Sequence, residues 1–211
     1  MSAFGSALNL AKKMNENITR QNYPISRSDR LKNNGHQAKV IWFVGLSGSG
    51  KSTLAGNVES VLHKKGYKTY ILDGDNLRLG LNSDLGFSKR DRSENIRRIA
   101  EVARLFNDAG TIVLSAFISP LESDRNQARK IIGVENFIEV FVNCPLSICE
   151  KRDVKGLYAK ARKGLIPNFT GIDSPFEPPK QPDIIIKTKV EPLEMSLKNI
   201  LKSIEPKLEL E

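Results

Sequence analysis

Cysteine and histidine are scarce in this 211-residue chain, with two of each: Cys144, Cys149, His36 and His63. The gap between the cysteines is a poor match to the close pairing of zinc ligands, and no second Cys/His pair exists. The reading that fits is two free structural thiols, at the end of a buried strand and the start of a helix. His36 precedes the first strand and His63 falls on the back of the helix that follows it, so neither is placed for catalysis. Long apolar runs are also missing: none approaches the ~20 residues of a membrane span. The opening Met1-Ser-Ala-Phe-Gly-Ser-Ala-Leu-Asn-Leu10 precedes Lys12 and Lys13, the reverse of a secretory signal's charge order. A cytoplasmic protein is expected. Aromatic residues make up only 7% and are nowhere interleaved with Arg and Lys, which argues against a single-strand nucleic-acid platform.

What is present is an ordinary globular mixture, 39% hydrophobic and 27% charged, long enough for one full-sized core. The formal net charge is +9, concentrated in residues 12–39, in 151–163 and in Arg125 to Lys130. Small polyanionic substrates explain that charge more economically than nucleic acid or a membrane. Residues 1–37 show no clear apolar period and read as an extended or partly helical arm. From residue 38 onward, apolar runs alternate with helical stretches. The runs are Val40–Val44, Thr69–Leu72, Thr111–Leu114, Phe137–Val142 and Ile184–Ile186. The helical stretches are Ser52–Lys65, Glu94–Asp108, Asp124–Ile132 and a last one from about Pro192. Gly66 and Gly110 stand where helices should end. This alternation predicts an α/β fold, a parallel sheet with helices on both faces, as one domain over 38–211.

Residues 45–52 read Gly45-Leu46-Ser47-Gly48-Ser49-Gly50-Lys51-Ser52, the full phosphate-binding pattern G-x-x-x-x-G-K-[ST], between a buried strand and a helix. Backbone N–H groups must turn inward around phosphate oxygens, and glycines leave room for that turn. Lys51 is expected on the β- and γ-phosphates, and the Ser52 hydroxyl on Mg²⁺ accompanying ATP. The helix N-terminus adds a favourable dipole. No guanine-reading Asn-Lys-x-Asp follows, and the chain is too short for a helicase or transporter, so a small kinase remains.

The second apolar run ends in Asp73-Gly-Asp75, two carboxylates at the carboxyl end of a strand, where open parallel sheets bind ligands. One, assigned as Asp73, is suited to Mg²⁺ or its waters, and Asp75 to taking a proton from an acceptor hydroxyl. Asp75 could also cap the following helix.

Asp73-Gly-Asp-Asn-Leu-Arg78, Leu85-Gly-Phe87 and Arg92-Ser-Glu-Asn-Ile-Arg-Arg98 resemble the acceptor-binding stretch of the adenylylsulfate (APS) kinase family. So do Ala116-Phe-Ile-Ser-Pro120, Arg152-Asp-Val-Lys-Gly-Leu-Tyr158 and Asn168-Phe-Thr-Gly-Ile-Asp-Ser-Pro175. In the arm, Glu16-Asn-Ile, Arg27-x-x-Arg30 and Asn34-Gly-His36 match as well, so the resemblance covers roughly residues 16–190. It implies a P-loop kinase of the nucleoside-monophosphate-kinase type that moves the γ-phosphoryl of ATP to the 3′-hydroxyl of adenosine 5′-phosphosulfate. It also implies a basic lid over about 152–171 and a homodimer; the sequence shows no fused sulfurylase domain, so APS is expected from a separate ATP sulfurylase. Arg78 and Arg92 suit the phosphosulfate, Asn95 a hydrogen bond to the acceptor, and Phe87 and Phe169 the two faces of adenine. The resemblance puts Arg152 near the ATP adenine, Lys155 near the acceptor, and Ile118 and Ser119 at the acceptor site. For Ser119 two roles stand: a positioning hydroxyl, or the phosphoserine intermediate described in some members. No base is evident to activate it, which favours direct transfer. Arg97 and Arg98 read equally well as a solvated helix face. Another small kinase acting on a nucleoside monophosphate or sugar acid, and a nucleic-acid-stimulated ATPase, are the rival readings.

Overall fold

The computed structural model describes residues 19 and 21–210. The Glu16-Asn-Ile piece of the resemblance and the charge order of residues 1–13 lie outside the described residues. Five strands, β1 (Val40–Val44), β2 (Thr69–Asp73), β3 (Ile112–Ala116), β4 (Phe137–Asn143) and β5 (Ile184–Lys187), form one sheet in the order β2-β3-β1-β4-β5. Every pairing is parallel. The apolar runs are continuous because both faces of the sheet are covered. Alternate residues still part to opposite sides. Ile41 and Phe43 join Ile112, Leu114, Ile138 and Val140 in one core, and Val40, Trp42 and Val44 join Val113, Phe137 and Phe141 in the other.

Helix α1 (Arg27–Asn34) precedes the sheet; α2 (Lys51–Lys64) and α8 (Leu193–Ile204) cover the first core. The second is covered by α4 (Lys89–Asp108) and α5 (Glu122–Ile132). Helix α4 begins five residues before the expected Glu94, because the Ser88 side chain accepts the Asp91 N–H and caps it. That puts Arg92 in the first turn of a helix instead of a loop. Three short helices carry no readable period: α3 (Gly74–Arg78), α6 (Leu146–Arg152) and α7 (Leu157–Arg162), the last inside the expected lid. The two cysteines are free and buried, Cys144 just past β4 and Cys149 in α6. Gly66 and Gly110 end helices α2 and α4 with positive φ.

Helix α1 starts with a capping box, in which Ser26 accepts from the Asp29 backbone and the Asp29 side chain accepts from the Ser26 backbone. The helix is tied down by Arg27, whose Nη2 donates to the Ala38 carbonyl (3.0 Å), Asn136 Oδ1 (3.1 Å) and Asn107 Oδ1 (3.3 Å). Asn34 Nδ2 donates to the Gly110 carbonyl at 2.9 Å. His36 is buried, with Nδ1 at 2.8 Å from its neighbour's carbonyl and Nε2 accepting the Lys68 N–H at 3.1 Å. Both ring nitrogens are therefore committed to structure. Removing Arg27 leaves three acceptors in a partly buried joint without a donor, whereas removing Ser26 frees one exposed cap. Arg27→Ala should therefore cost roughly 1–3 kcal/mol and Ser26→Ala about 1 kcal/mol. Urea midpoints measure both, and the reverse ranking would show that α1 is not held through Arg27.

Candidate functional site

Three strand ends converge at the carboxyl edge of the sheet: β1 runs into the Gly45–Ser52 loop, β2 into Asp73 and β3 into Ile118 and Ser119. The loop backbone is close to the structure around it. A Cβ on Gly45 would come within 2.6 Å of the Val142 carbonyl, and one on Gly48 within 3.0 Å of the Cys149 carbonyl. Gly48 and Gly50 also hold positive φ, at 70° and 104°. Two contacts not foreseen from the sequence brace the loop from outside. Tyr158 OH donates to the Ser47 carbonyl at 2.9 Å, and Thr188 Oγ1, just past β5, donates to the Ser49 carbonyl at 2.9 Å. Arg152 Nη2 donates to the Thr188 carbonyl (2.7 Å), and its Nη1 lies 3.4 Å from the Gly48 and Ser49 carbonyls.

Lys51 is buried at the start of α2, and its Nζ donates to the Leu46 carbonyl at 2.7 Å. Burial pushes its ammonium down to about 8, against the opposing pull of neighbours that include Asp73. One residue on, the Ser52 hydroxyl donates to Asp73 Oδ2 at 3.0 Å. The other oxygen of Asp73 accepts the Asp75 N–H, also at 3.0 Å. Asp73 is therefore the N-cap of α3, and Asp75, considered for that part from the sequence, sits in the first turn with its carboxylate free of the backbone. It is ion-paired to Lys155, which lies in the turn between α6 and α7. That partner holds the Lys155 ammonium above its ordinary value.

The arginines of the acceptor stretch are both engaged. Arg78 Nη1 donates to the Leu85 and Gly86 carbonyls, each at 3.1 Å, and its guanidinium lies 4.4 Å from the centre of the Phe87 ring. Arg92 joins two loops: Nε donates to the Phe87 carbonyl (2.9 Å), Nη1 to Thr170 Oγ1 (2.6 Å) and Nη2 to the Asn168 carbonyl. Burial, foremost, lowers both arginines, and for Arg92 the nearby Arg78 adds to it. Phe87 is 60% exposed, while Phe169 is 9% exposed with its ring edge-on to Tyr158 at 5.0 Å. The two rings thus occupy different surroundings, linked through Arg92. Asn95 is buried, and its Oδ1 accepts from Asn82 Nδ2 at 3.0 Å. Arg97 and Arg98 pair with Glu94, and Arg98 also with Asp84. Beside this surface lies a cavity of about 510 Å³ lined by Leu46, Leu146, Gly171, Asp173, Pro175 and Phe176.

Ser119 is 1% exposed and adopts φ 44°, a left-handed conformation unusual for a residue with a side chain. Its Oγ accepts from the indole Nε1 of Trp42 at 3.0 Å. No spacing in the sequence marks that pair, 77 residues apart.

Among the described residues, no helix is long and apolar enough to cross a membrane, and no cluster of three His, Cys, Asp or Glu side chains could hold a metal unaided.

Comparison with known proteins agrees with this geometry. The adenylylsulphate kinase family profile matches residues 37–187. An adenylyl-sulfate kinase of Geotalea daltonii is 58% identical over 185 residues, 88% of this chain and 91% of its own. That of Clostridium acetobutylicum is 54% identical over 189 residues, 90% of this chain and 94% of its own. The structure of the Mycobacterium tuberculosis APS kinase in complex with AMPPNP and APS superimposes with a TM-score of 0.77 at 50% identity, covering 80% of this chain and 98% of its own. With the phosphate loop, the paired aspartates and the two arginines on one sheet edge, and relatives this similar along most of its length, the chain belongs to the adenylylsulfate kinase family.

Proposed function

We propose that this protein transfers the γ-phosphoryl of ATP to the 3′-hydroxyl of adenosine 5′-phosphosulfate, giving 3′-phosphoadenylyl sulfate and ADP. The observation that carries this reading is the division of labour at the end of β2. Asp73 faces Ser52 and the phosphate loop, whereas Asp75, two residues on, faces Lys155 on the acceptor side.

The Gly45–Ser52 backbone and Lys51 take the phosphates of ATP, with Arg152 at the far side of the loop toward its adenine. The Ser52 hydroxyl and Asp73 carboxylate are hard oxygen donors 3.0 Å apart, a set that fits Mg²⁺ once nucleotide phosphates complete it. The ion would neutralise phosphate charge there. On the acceptor side, Arg78, Arg92 and Lys155 offer cations for the phosphosulfate, and Phe87 and Phe169 offer ring faces for adenine. Asn95 and the backbone at Ile118 complete the acceptor site. Asp75 takes the 3′-hydroxyl proton as oxygen attacks phosphorus, and the lid segment at 152–171 excludes water. Direct transfer is supported by the burial of Ser119 and by its hydroxyl already accepting from Trp42. The homodimer belongs to the same reading and rests on the family resemblance; a cytoplasmic location and APS supplied by an outside sulfurylase complete it.

ADP release coupled to a panel of acceptor nucleotides and sugar acids tests the reaction, and APS should be preferred. Asp75→Asn keeps size and hydrogen bonding but loses basicity, so its rate should fall by roughly 10²–10⁴-fold, while Ser119→Ala stays active. A dead Ser119→Ala enzyme, with labelled phosphate left on the wild-type protein, would replace direct transfer by a phosphoenzyme route.

A second prediction follows from Lys51. With its ammonium at about 8, the side chain is mostly neutral at about pH 8.5 and charged at about pH 7. Polyphosphate favours the charged form, so ATP binding at the higher pH should draw a proton that Lys51→Arg, charged throughout, does not take up. Titration calorimetry in buffers of different ionisation enthalpy reads this proton, and equal uptake by both proteins would separate Lys51 from the phosphates.

A further inference from the structure

Arg125 falls in one of the chain's basic clusters, yet it is no surface cation. Its side chain is 4% exposed, and its Nε lies 3.1 Å from Oε1 of Glu139, itself 9% exposed in the middle of β4. The same guanidinium donates through Nη1 to the Ser119 carbonyl at 2.8 Å. Glu139 is the register partner of Trp42 across β1 and β4, so the two side chains rise from the same face of the sheet as neighbours. Both converge on Ser119: Trp42 holds its hydroxyl, and Glu139 holds its carbonyl by way of Arg125. Arg129, one turn later on α5, lies 3.5 Å from both Glu139 and Asp183, and Asp183 accepts the Glu139 N–H at 2.7 Å. The residue before Arg125, Asp124, is buried and accepts from Ser93 Oγ at 3.1 Å, beside Arg92 on α4.

A buried ion pair is weak evidence for stability, because desolvation consumes much of the attraction. Burial outweighs the partner charge on both sides here, lowering Arg125 and raising Glu139. The geometry gives the pair another use. A serine at φ 44° is strained and persists only when its surroundings over-determine it. The surroundings of Ser119 do so from two directions.

We propose that Arg125, backed by Glu139, is a positioning residue that locks the left-handed turn at Ser119 and thereby shapes the acceptor half of the site. This rests on the acceptor-site reading given above. Arg125 touches no reacting atom. It acts through Ser119, and α5 delivers it there while Asp124 anchors the same helix to the one bearing Arg92 and Asn95.

Trp42 is the only tryptophan in the chain, so a proton–nitrogen spectrum holds one indole cross-peak, reporting the bond to Ser119 whatever the enzyme's substrate. In Arg125→Lys, which keeps the charge but not the fork, that peak should move and its hydrogen exchange should quicken. KM for APS should rise about tenfold, with KM for ATP within about twofold. Because Glu139 acts only by way of Arg125, Arg125→Lys combined with Glu139→Gln should raise KM for APS no further than the stronger single change. An unmoved indole peak, equal effects on both substrates, or multiplying effects in the double variant would overturn the proposal. Should Arg125→Lys fail to fold, Glu139→Gln, nearly isosteric, must give the same peak shift and the same APS-selective defect, or the proposal falls. A wild-type enzyme that ignores APS but whose indole peak responds to Arg125→Lys would instead overturn the assigned reaction and leave the positioning intact.

Discussion

The Ser52 hydroxyl and the Asp73 carboxylate meet across 3.0 Å, although the strands that deliver them, β1 and β2, are separated by β3. In an all-parallel sheet every strand, adjacent or not, ends at the same edge, and cover on both faces holds those ends in place. Everything at the site hangs on that edge. The phosphate loop follows β1, the two aspartates close β2, Ser119 follows β3, and Cys144 leads from β4 into the helix whose carbonyl abuts Gly48. The last strand adds Thr188, which ties the loop down from the other side. Shifting any of these strands by one residue would exchange its two faces and pull a functional side chain out of the group.

The electrostatics of the site follow from how deeply each charge is set. Lys51 is buried with the Leu46 carbonyl as its partner, and burial weakens its ammonium. Lys155 and Asp75 are exposed, and the bond to Asp75 holds the Lys155 ammonium up at little cost. Arg125 and Glu139 are buried as a pair, and there desolvation prevails over attraction for both. The three arrangements suit three uses. A weakened cation responds to an incoming anion, an exposed pair opens readily, and a buried pair fixes a shape.

Features built from consecutive residues were legible in the sequence. The five apolar runs became the five strands, the glycine loop sits between strand and helix as its pattern requires, and the Asp73-Gly-Asp75 step lies at a strand end. Boundaries set by capping were less so. Helix α4 begins at Lys89 because Ser88, a serine that any loop could contain, caps it, and α3 is too short to show a period that would tell Asp73 from Asp75 as its cap. Contacts between distant segments left no trace. Trp42 and Ser119 are 77 residues apart, and nothing around either announces a hydrogen bond. Arg125 reads only as one of a cluster of basic residues, because composition does not reveal that Glu139, in a run of strand-forming residues, lies opposite it. Tyr158 and Thr188 were equally silent, since each meets the phosphate loop only through backbone carbonyls.

Four cations around the site are already bonded to oxygens of the protein itself: Lys51 to Leu46, Arg78 to Leu85 and Gly86, Arg92 to Phe87, Asn168 and Thr170, and Lys155 to Asp75. An arriving anion therefore does not meet bare positive charge. It must trade places with carbonyls and a carboxylate, so the gain per contact is a difference between two hydrogen bonds and not the whole of one. A single small anion has little to win from such an exchange. A ligand with several charged oxygens, correctly spaced, displaces several of these internal partners together and frees the loops they joined.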